Sequence, residues 1–188
     1  VLTTTLRAIA IIAQVLRQQL AQRGSHLDVL AQGEWPKLRL MERFRAGAGP
    51  QGGCILVASA SFWEGFDVPG DALQLVVIDK LPFPPPGDPL VEARTLQIEQ
   101  SGGSAFKEYA LAEAALALKQ GAGRLIRHES DRGVLVVCDS RLVRMGYGKR
   151  LIAALPPMRR LSGAEEFHAA LEDLASVTRT STTDQTFL

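Results

Sequence analysis

The chain has 188 residues, of which 46% are hydrophobic and 22% are charged. This is enough for one compact domain that buries on the order of 70% of the surface its unfolded chain exposes. No apolar run reaches the roughly 18 residues of a membrane span and no cleavable signal begins the chain, so a cytoplasmic protein without a membrane partner is expected. Three scattered histidines and two cysteines lack zinc spacing, which argues against a metal site.

The first part of the chain predicts strands that alternate with helices. Pro36 favours the first turn of a helix, and the glycines of residues 47–53 predict a turn. The predicted elements are a strand ending at residues 3–5, a helix over 6–21, a strand over 26–31, a helix over 35–46 and a strand over 54–58.

The same alternation continues to the end of the chain. Residues 82–89 are expected to have no regular structure, because prolines fix φ and remove hydrogen-bond donors. The predicted elements are a strand over 74–79, helices over 89–100 and 105–126, a strand over 133–138, and helices over 147–155 and 164–175. Near-continuous apolar strands between helices predict an α/β fold, with a mainly parallel central sheet covered by helices on both faces. The expected organisation is one domain over 1–160, a C-terminal helix over 161–175 and a disordered tail over 176–188.

The end of the predicted helix over 105–126 carries an unusual polar pattern. Gln120, Arg124 and Arg127 would fall within roughly a 60° arc of one helix face. Arginine forks fit phosphate oxygens, so this face suits a polyanion, although a solvated basic helix end is the alternative. Gly121 and Gly123 each cost about 1 kcal/mol in a helix. They indicate that another part of the backbone or a ligand approaches closely.

A polar loop over residues 59–70 follows the apolar strand over 54–58. In open α/β sheets ligands bind beyond the carboxyl ends of the strands, so Glu64 and Asp67 are well placed for chemistry. Asp67 has an alternative role as the cap of the turn at residues 68–70.

These two segments resemble motifs V and VI of the superfamily 2 DNA helicases, specifically the DinG/XPD branch. The proline-rich residues 76–89 are also similar to DinG-type proteins at the corresponding place. The resemblance covers about residues 3–157. It implies a RecA-like second motor domain, expected to be part of a longer protein, because neither G-x-x-x-x-G-K-[ST] nor a DEAH-like strand end occurs here. Cys54 and Cys138 cannot supply the four-cysteine iron–sulfur site of many relatives. Both are expected to be small, reduced core residues, a disulfide being the less favoured alternative.

The resemblance also implies roles for particular residues around ATP. Arg127 would be the arginine finger, Arg124 a second contact to the γ-phosphate, and Gln120 a group that positions the phosphate or the attacking water. The implied nucleotide-binding residues are Glu64, Gly65, Asp67 and Gly123. ATP would bind with Mg²⁺, and the metal would be held by the N-terminal motor domain, which is the implied partner.

Single-stranded DNA is the second implied partner. Hydroxyls at the first strand end and after the third strand would contact its phosphates, and an aromatic there would stack on a base. For each aromatic, a buried anchor of the loop is an equal alternative. The implied DNA-binding residues are Thr3, Thr4, Thr5, Ser59, Ser61, Phe62 and Trp63.

The net charge of +1 hides a strong segregation along the chain. Residues 1–50 carry +4, residues 51–120 carry −5, residues 121–160 carry +6 and residues 161–188 carry −4. Folding that gathers both basic blocks on one face would form a footprint for a phosphate backbone; ordinary solvated surface is the alternative. The implied function is the second half of a 5′ to 3′ DNA helicase, inactive as an ATPase on its own. Two other classes stay open: a non-catalytic nucleic-acid- or partner-binding module, and a nucleotide-binding regulatory domain.

Overall fold

The computed structural model describes residues 1–47, 53–59, 62, 73–126 and 131–183, with side chains as far as residue 176. Five parallel strands form one sheet in the order β2-β3-β1-β4-β5. The strands are β1 (Leu2–Thr3), β2 (Asp28–Ala31), β3 (Cys54–Ser59), β4 (Leu75–Ile78) and β5 (Val134–Val137).

Helices connect β1 to β2, β2 to β3 and β4 to β5, since parallel strands need a crossover. The helices are α1 (Leu6–Gln22), α2 (Lys37–Arg45), α3 (Pro89–Gln100), α4 (Leu111–Ala122), α5 (Arg141–Arg144), α6 (Gly148–Ala154) and α7 (Ala164–Thr183), with a π-helical turn at Phe106–Ala110 before α4. The predicted strand over 54–58 and the helix over 89–100 are confirmed, the latter with Asp88 as N-cap.

The strands bury side chains on both faces because successive residues of a strand point to opposite sides. Ile9 and Ala13 of α1 pack with Val29, Ala31 and Val57 on one face. On the other face, α2, α4 and α6 pack over the larger core through Leu40, Phe44, Leu118 and Leu151, all buried with Leu30, Leu56, Val76 and Ile78. The predicted α/β, RecA-like architecture with helices on both faces is confirmed.

Several elements differ from the sequence prediction, and α5 was not predicted. The long helix ends at Ala122 rather than at 126, and Pro36 is the N-cap of α2 rather than a residue of its first turn. α7 continues beyond 175 to Thr183, because adding residues to a formed helix costs far less than starting one. The predicted tail is therefore helical as far as the structure describes it.

The cysteines are both free, but only one approaches the predicted core position. Cys54 is half-buried, and its thiol donates to the Phe44 carbonyl oxygen at 3.7 Å. Cys138 is exposed, so the prediction that it is a core residue is wrong: β5 ends at Val137, and the next side chain leaves the sheet. Desolvation raises the pKa of the Cys138 thiol.

Candidate functional site

Two neighbouring strands bring hydroxyl side chains to one edge of the sheet. Thr3 of β1 is paired with Ser59 of β3, each being the last residue of its strand. Thr3 is only 1% exposed, and its hydroxyl donates to the Thr5 carbonyl oxygen at 3.0 Å. Thr5 caps α1 by accepting from the Ala8 amide at 3.2 Å. Thr4 is exposed between them, so it is the freely presented hydroxyl of this group.

Gln32 fixes Ser59 at this edge and was missed by sequence reasoning. Its Oε1 accepts from both the amide and the hydroxyl of Ser59, at 2.8 and 2.9 Å. Gln32 follows β2, and the carboxyl ends of parallel strands share one edge. A polar residue directly after β2 was therefore the available signal.

The loop that carries Gln32 is braced by an ion pair. Arg17 donates to the Val29 carbonyl oxygen at 2.6 Å and to the Glu34 carboxylate at 2.7 Å. The same carboxylate accepts from the Ala31 amide at 3.3 Å. The hydrogen bond from Arg17 lowers the pKa of Glu34. The turn after β2 is thus held to both α1 and the sheet.

Phe62 lies in the core and not on a surface. Its ring is 6% exposed and packs with the larger core, and the Lys37 ammonium lies 5.1 Å from its ring centroid. This placement matches the alternative of a buried aromatic anchor, because stacking on a base would require the ring to leave the core. Ser61 and Trp63 lie outside the described residues.

The polar face predicted at residues 120–127 is divided by the end of α4. Gln120 is exposed on the last turn, Gly123 is the C-cap, and the Arg124 amide donates to the Gly121 carbonyl oxygen at 3.3 Å. Leu125 likewise donates to Ala122 at 3.1 Å, so the chain tightens into three-residue turns. The prediction that Gln120 and Arg124 lie on one continuous α-helical face is therefore wrong.

The two glycines of this segment differ in how closely their neighbours approach. A Cβ on Gly121 would lie 3.5 Å from Leu2 and 3.6 Å from Ile78, in normal contact with the sheet. A Cβ on Gly123 would meet the Lys119 carbonyl oxygen of its own helix at 3.2 Å. The close approach that they predicted is the packing of α4 on the sheet and the turn at its end.

The remaining predicted site residues stay predictions. Arg124 is half-buried and has an interaction partner. The others lie outside the described residues: Glu64, Gly65, Asp67 and Arg127.

The proline-rich segment is tied to the end of β5. The Asp139 carboxylate accepts from the Leu81 amide at 3.0 Å and from the Arg141 guanidinium at 2.6 Å. The Arg141 hydrogen bond holds the pKa of Asp139 far below its usual range. Phe83 of the segment packs against Phe106 and Tyr147, with ring centroids 5.3–5.9 Å apart within the three-ring cluster. The segment is a fixed part of the domain.

No group of three or more histidine, cysteine, aspartate or glutamate side chains converges among the described residues. Nor is any helix there long and apolar enough to cross a membrane.

The fold brings the two positively charged segments, residues 1–50 and 121–160, only partly onto one face. α2 and α6 cover the same face of the sheet, whereas α1 covers the opposite one. The cations of residues 1–50 are therefore divided between two faces, and only those of α2 share a face with Lys149 and Arg150 of α6.

Comparison with known proteins gives one consistent result. Residues 1–158 match the helicase C-terminal domain family. The chain is 52% identical over 134 residues to the ATP-dependent DNA helicase YoaA of Escherichia coli, covering 71% of this chain and 20% of that protein. It is 41% identical over 174 residues to the ATP-dependent helicase DinG of Mycobacterium tuberculosis, covering 93% and 25%. It is also 36% identical over 145 residues to the 3′-5′ exonuclease DinG of Bacillus subtilis, covering 76% and 15%. The chain thus spans a quarter or less of the length of these relatives.

Proposed function

The chain belongs to the helicase C-terminal domain family, and on that premise we propose that it is the second motor domain of a DinG-type ATP-dependent DNA helicase. ATP is hydrolysed between this domain and an N-terminal motor domain that carries the phosphate loop and holds Mg²⁺. The observation that carries the proposal is the family match over residues 1–158, which contain all of the predicted nucleotide and DNA residues.

Arg127 acts as the arginine finger in this proposal. It stabilises the charge that develops on the transferred γ-phosphate, Arg124 makes a second phosphate contact and Gln120 positions the phosphate or water. Glu64, Gly65, Asp67 and Gly123 border the nucleotide. The position of Arg124 supports this arrangement, because it directly follows the C-cap of α4 and is half-buried.

The track for single-stranded DNA runs over the carboxyl ends of β1 and β3. Thr4 contacts a phosphate through its exposed hydroxyl, and Ser59 does so from the position that Gln32 fixes. Thr3 and Thr5 shape the turn between β1 and α1 through their own hydrogen bonds. Ser61 and Trp63 extend the track, and Phe62 anchors it from the core. Translocation runs 5′ to 3′.

The test is ATPase activity of this domain joined to its N-terminal motor domain, with and without single-stranded DNA. A DNA-stimulated rate is expected in the wild type, and Arg127→Ala should lower it by roughly 10³-fold or more. Arg132→Ala is the matched control, because Arg132 is an exposed arginine outside the proposed site. An unchanged rate in Arg127→Ala removes the finger role. No hydrolysis in the wild type would instead favour the non-catalytic binding module.

A further inference from the structure

One stretch of the domain carries uncompensated positive charge. Residues 140–163 contain six lysines and arginines and no aspartate or glutamate. They are Arg141, Arg144, Lys149, Arg150, Arg159 and Arg160. Only Arg141 forms an ion pair with a described residue, namely Asp139. A surface of this kind attracts an anion with little competition from its own side chains.

Three of these cations line a cavity of about 290 Å³ formed by α5, α6 and the segment that follows α6. The volume is near the lower end of the roughly 300–1,000 Å³ of small-ligand sites, which suits a single monomer unit of a polymer. The lining side chains include Arg144, Lys149, Arg160, Val143, Met145 and Ile152, and no carboxylate is among them.

The cavity is apolar as well as cationic. Val143 is 62% exposed, Met145 48% and Ile152 37%, which leaves apolar surface beside the charges. Inorganic phosphate would use only the cations. A ligand that uses both has an anionic group joined to an apolar face, and an unpaired nucleotide has this composition because its base is not stacked in a duplex.

The cavity lies near the same sheet edge as Thr4 and Ser59. α5 begins at Arg141, shortly after the carboxyl end of β5 at Val137. β4 separates β5 from β1, so the ends of β1 and β5 are on the order of 10 Å apart. One strand of nucleic acid that crosses this edge can reach both places.

We propose that this cavity binds a nucleotide unit of single-stranded nucleic acid, with phosphate on Arg144, Lys149 and Arg160 and the base on Met145 and its apolar neighbours. The site extends the proposed track for single-stranded DNA toward the carboxyl end of β5. It is separate from the hydroxyls at the ends of β1 and β3. The inference rests on the proposed function, since the strand is the same DNA on which the motor moves.

The test is fluorescence anisotropy of the 188-residue chain with a labelled oligothymidylate of about 15 nucleotides, at several salt concentrations. Arg144→Gln/Lys149→Gln should weaken binding and reduce the slope of log K against log salt by about 1.4, since each lost single-strand phosphate contact removes roughly 0.7. The matched control is Arg23→Gln/Arg132→Gln, which removes the same charge from exposed residues at the opposite edge of the sheet. Thermal unfolding by circular dichroism verifies that each variant is folded.

A second variant tests the apolar part of the cavity. Met145→Ser should weaken binding of oligothymidylate with little change in the salt slope, and should have less effect on an abasic strand of equal charge. Equal losses for both strands would overturn the base contact.

Other outcomes separate this inference from the proposed function. If the cavity variants and the control variants bind oligothymidylate equally, the cavity site is overturned. It is also overturned if the wild type binds anionic phosphatidylserine vesicles through this cavity but does not bind the strand. If the joined motor retains its DNA-stimulated ATPase in Arg144→Gln/Lys149→Gln with unchanged affinity for DNA, the motor function stands and the cavity proposal fails.

Discussion

Gln32 shows how a single side chain can fix the end of a neighbouring strand. Its Oε1 is the acceptor for two donors of Ser59, one from the backbone and one from the hydroxyl. Because the half-buried Ser59 is the last residue of β3, this acceptor fixes the point at which the strand ends.

We expect Gln32→Ala to destabilise the domain by about 1–2 kcal/mol. The substitution leaves a partly buried amide without this acceptor, and an unsatisfied group of that kind costs about 1–3 kcal/mol. Urea unfolding followed by circular dichroism measures the loss. Gln97→Ala on the exposed side of α3 is the control, expected to stay within about 0.5 kcal/mol. A loss no larger than that of the control would mean that Gln32 does not hold Ser59 in solution.

Asp139 is one of the carboxyl groups through which stability should depend on pH. Its pKa is lowered in the folded state, first by Arg141 and also by the Leu81 amide. A carboxyl with a lowered pKa stabilises the fold above its unfolded pKa of about 3.9 and loses that contribution as pH falls toward its folded pKa.

Asp139→Asn should therefore be less stable than the wild type at pH 7, and the difference should shrink steadily below about pH 4. Urea unfolding at a series of pH values checks both parts. Asp173→Asn, at an exposed position of α7, is the control for the loss of one carboxylate and should stay within about 0.5 kcal/mol of the wild type at pH 7. A difference between Asp139→Asn and the wild type that persists undiminished at low pH would show that packing and not charge is lost.

At the scale of elements, the junction of α5 and α6 depends on one glycine. A Cβ on Gly148 would overlap the Leu142 carbonyl group, so the backbone of α5 and the first turn of α6 are in direct contact. Gly146, in the same loop, has open space where its Cβ would be. Gly146 and Gly148 are close in sequence, but only at Gly148 would a Cβ meet other atoms.

Gly148→Ala should cost on the order of 1–3 kcal/mol, because the clash is with backbone that can relieve it only by moving α5 away from α6. Gly146→Ala is the matched control and should be close to neutral. Thermal unfolding measures both. Since the proposed nucleotide cavity lies between α5 and α6, Gly148→Ala should also weaken oligothymidylate binding. Equal stability of the two variants would contradict the observed contact.

At the scale of the whole molecule, the layers of the fold could be predicted from the sequence, but the contacts between residues distant in sequence could not. Runs such as residues 54–58 specify buried parallel strands by composition alone. The hydrogen bonds between Gln32 and Ser59 depend on β2 lying beside β3. Strand order of this kind cannot be predicted from the local sequence pattern. The end of α4 did have a local signal, because a glycine commonly ends a helix and Gly123 is its C-cap. The contact of Leu125 with Gly133, by contrast, depends on the tertiary fold.

α7 is joined to the domain by contacts of the same long-range kind. Leu174 is buried, and its carbonyl oxygen accepts from the Gln74 side chain at 3.5 Å, just before β4 begins. A helix held in this way should unfold together with the sheet. Leu174→Ala is expected to lower stability by about 2–3 kcal/mol, which for a chain of this size shifts a single thermal transition by roughly 4–12 °C. Leu116→Ala, at an exposed position of α4, is the control and should scarcely shift it. If instead part of the helical signal at 222 nm melts early while the main transition stays in place, α7 is a separate unit and the cooperative domain ends before it.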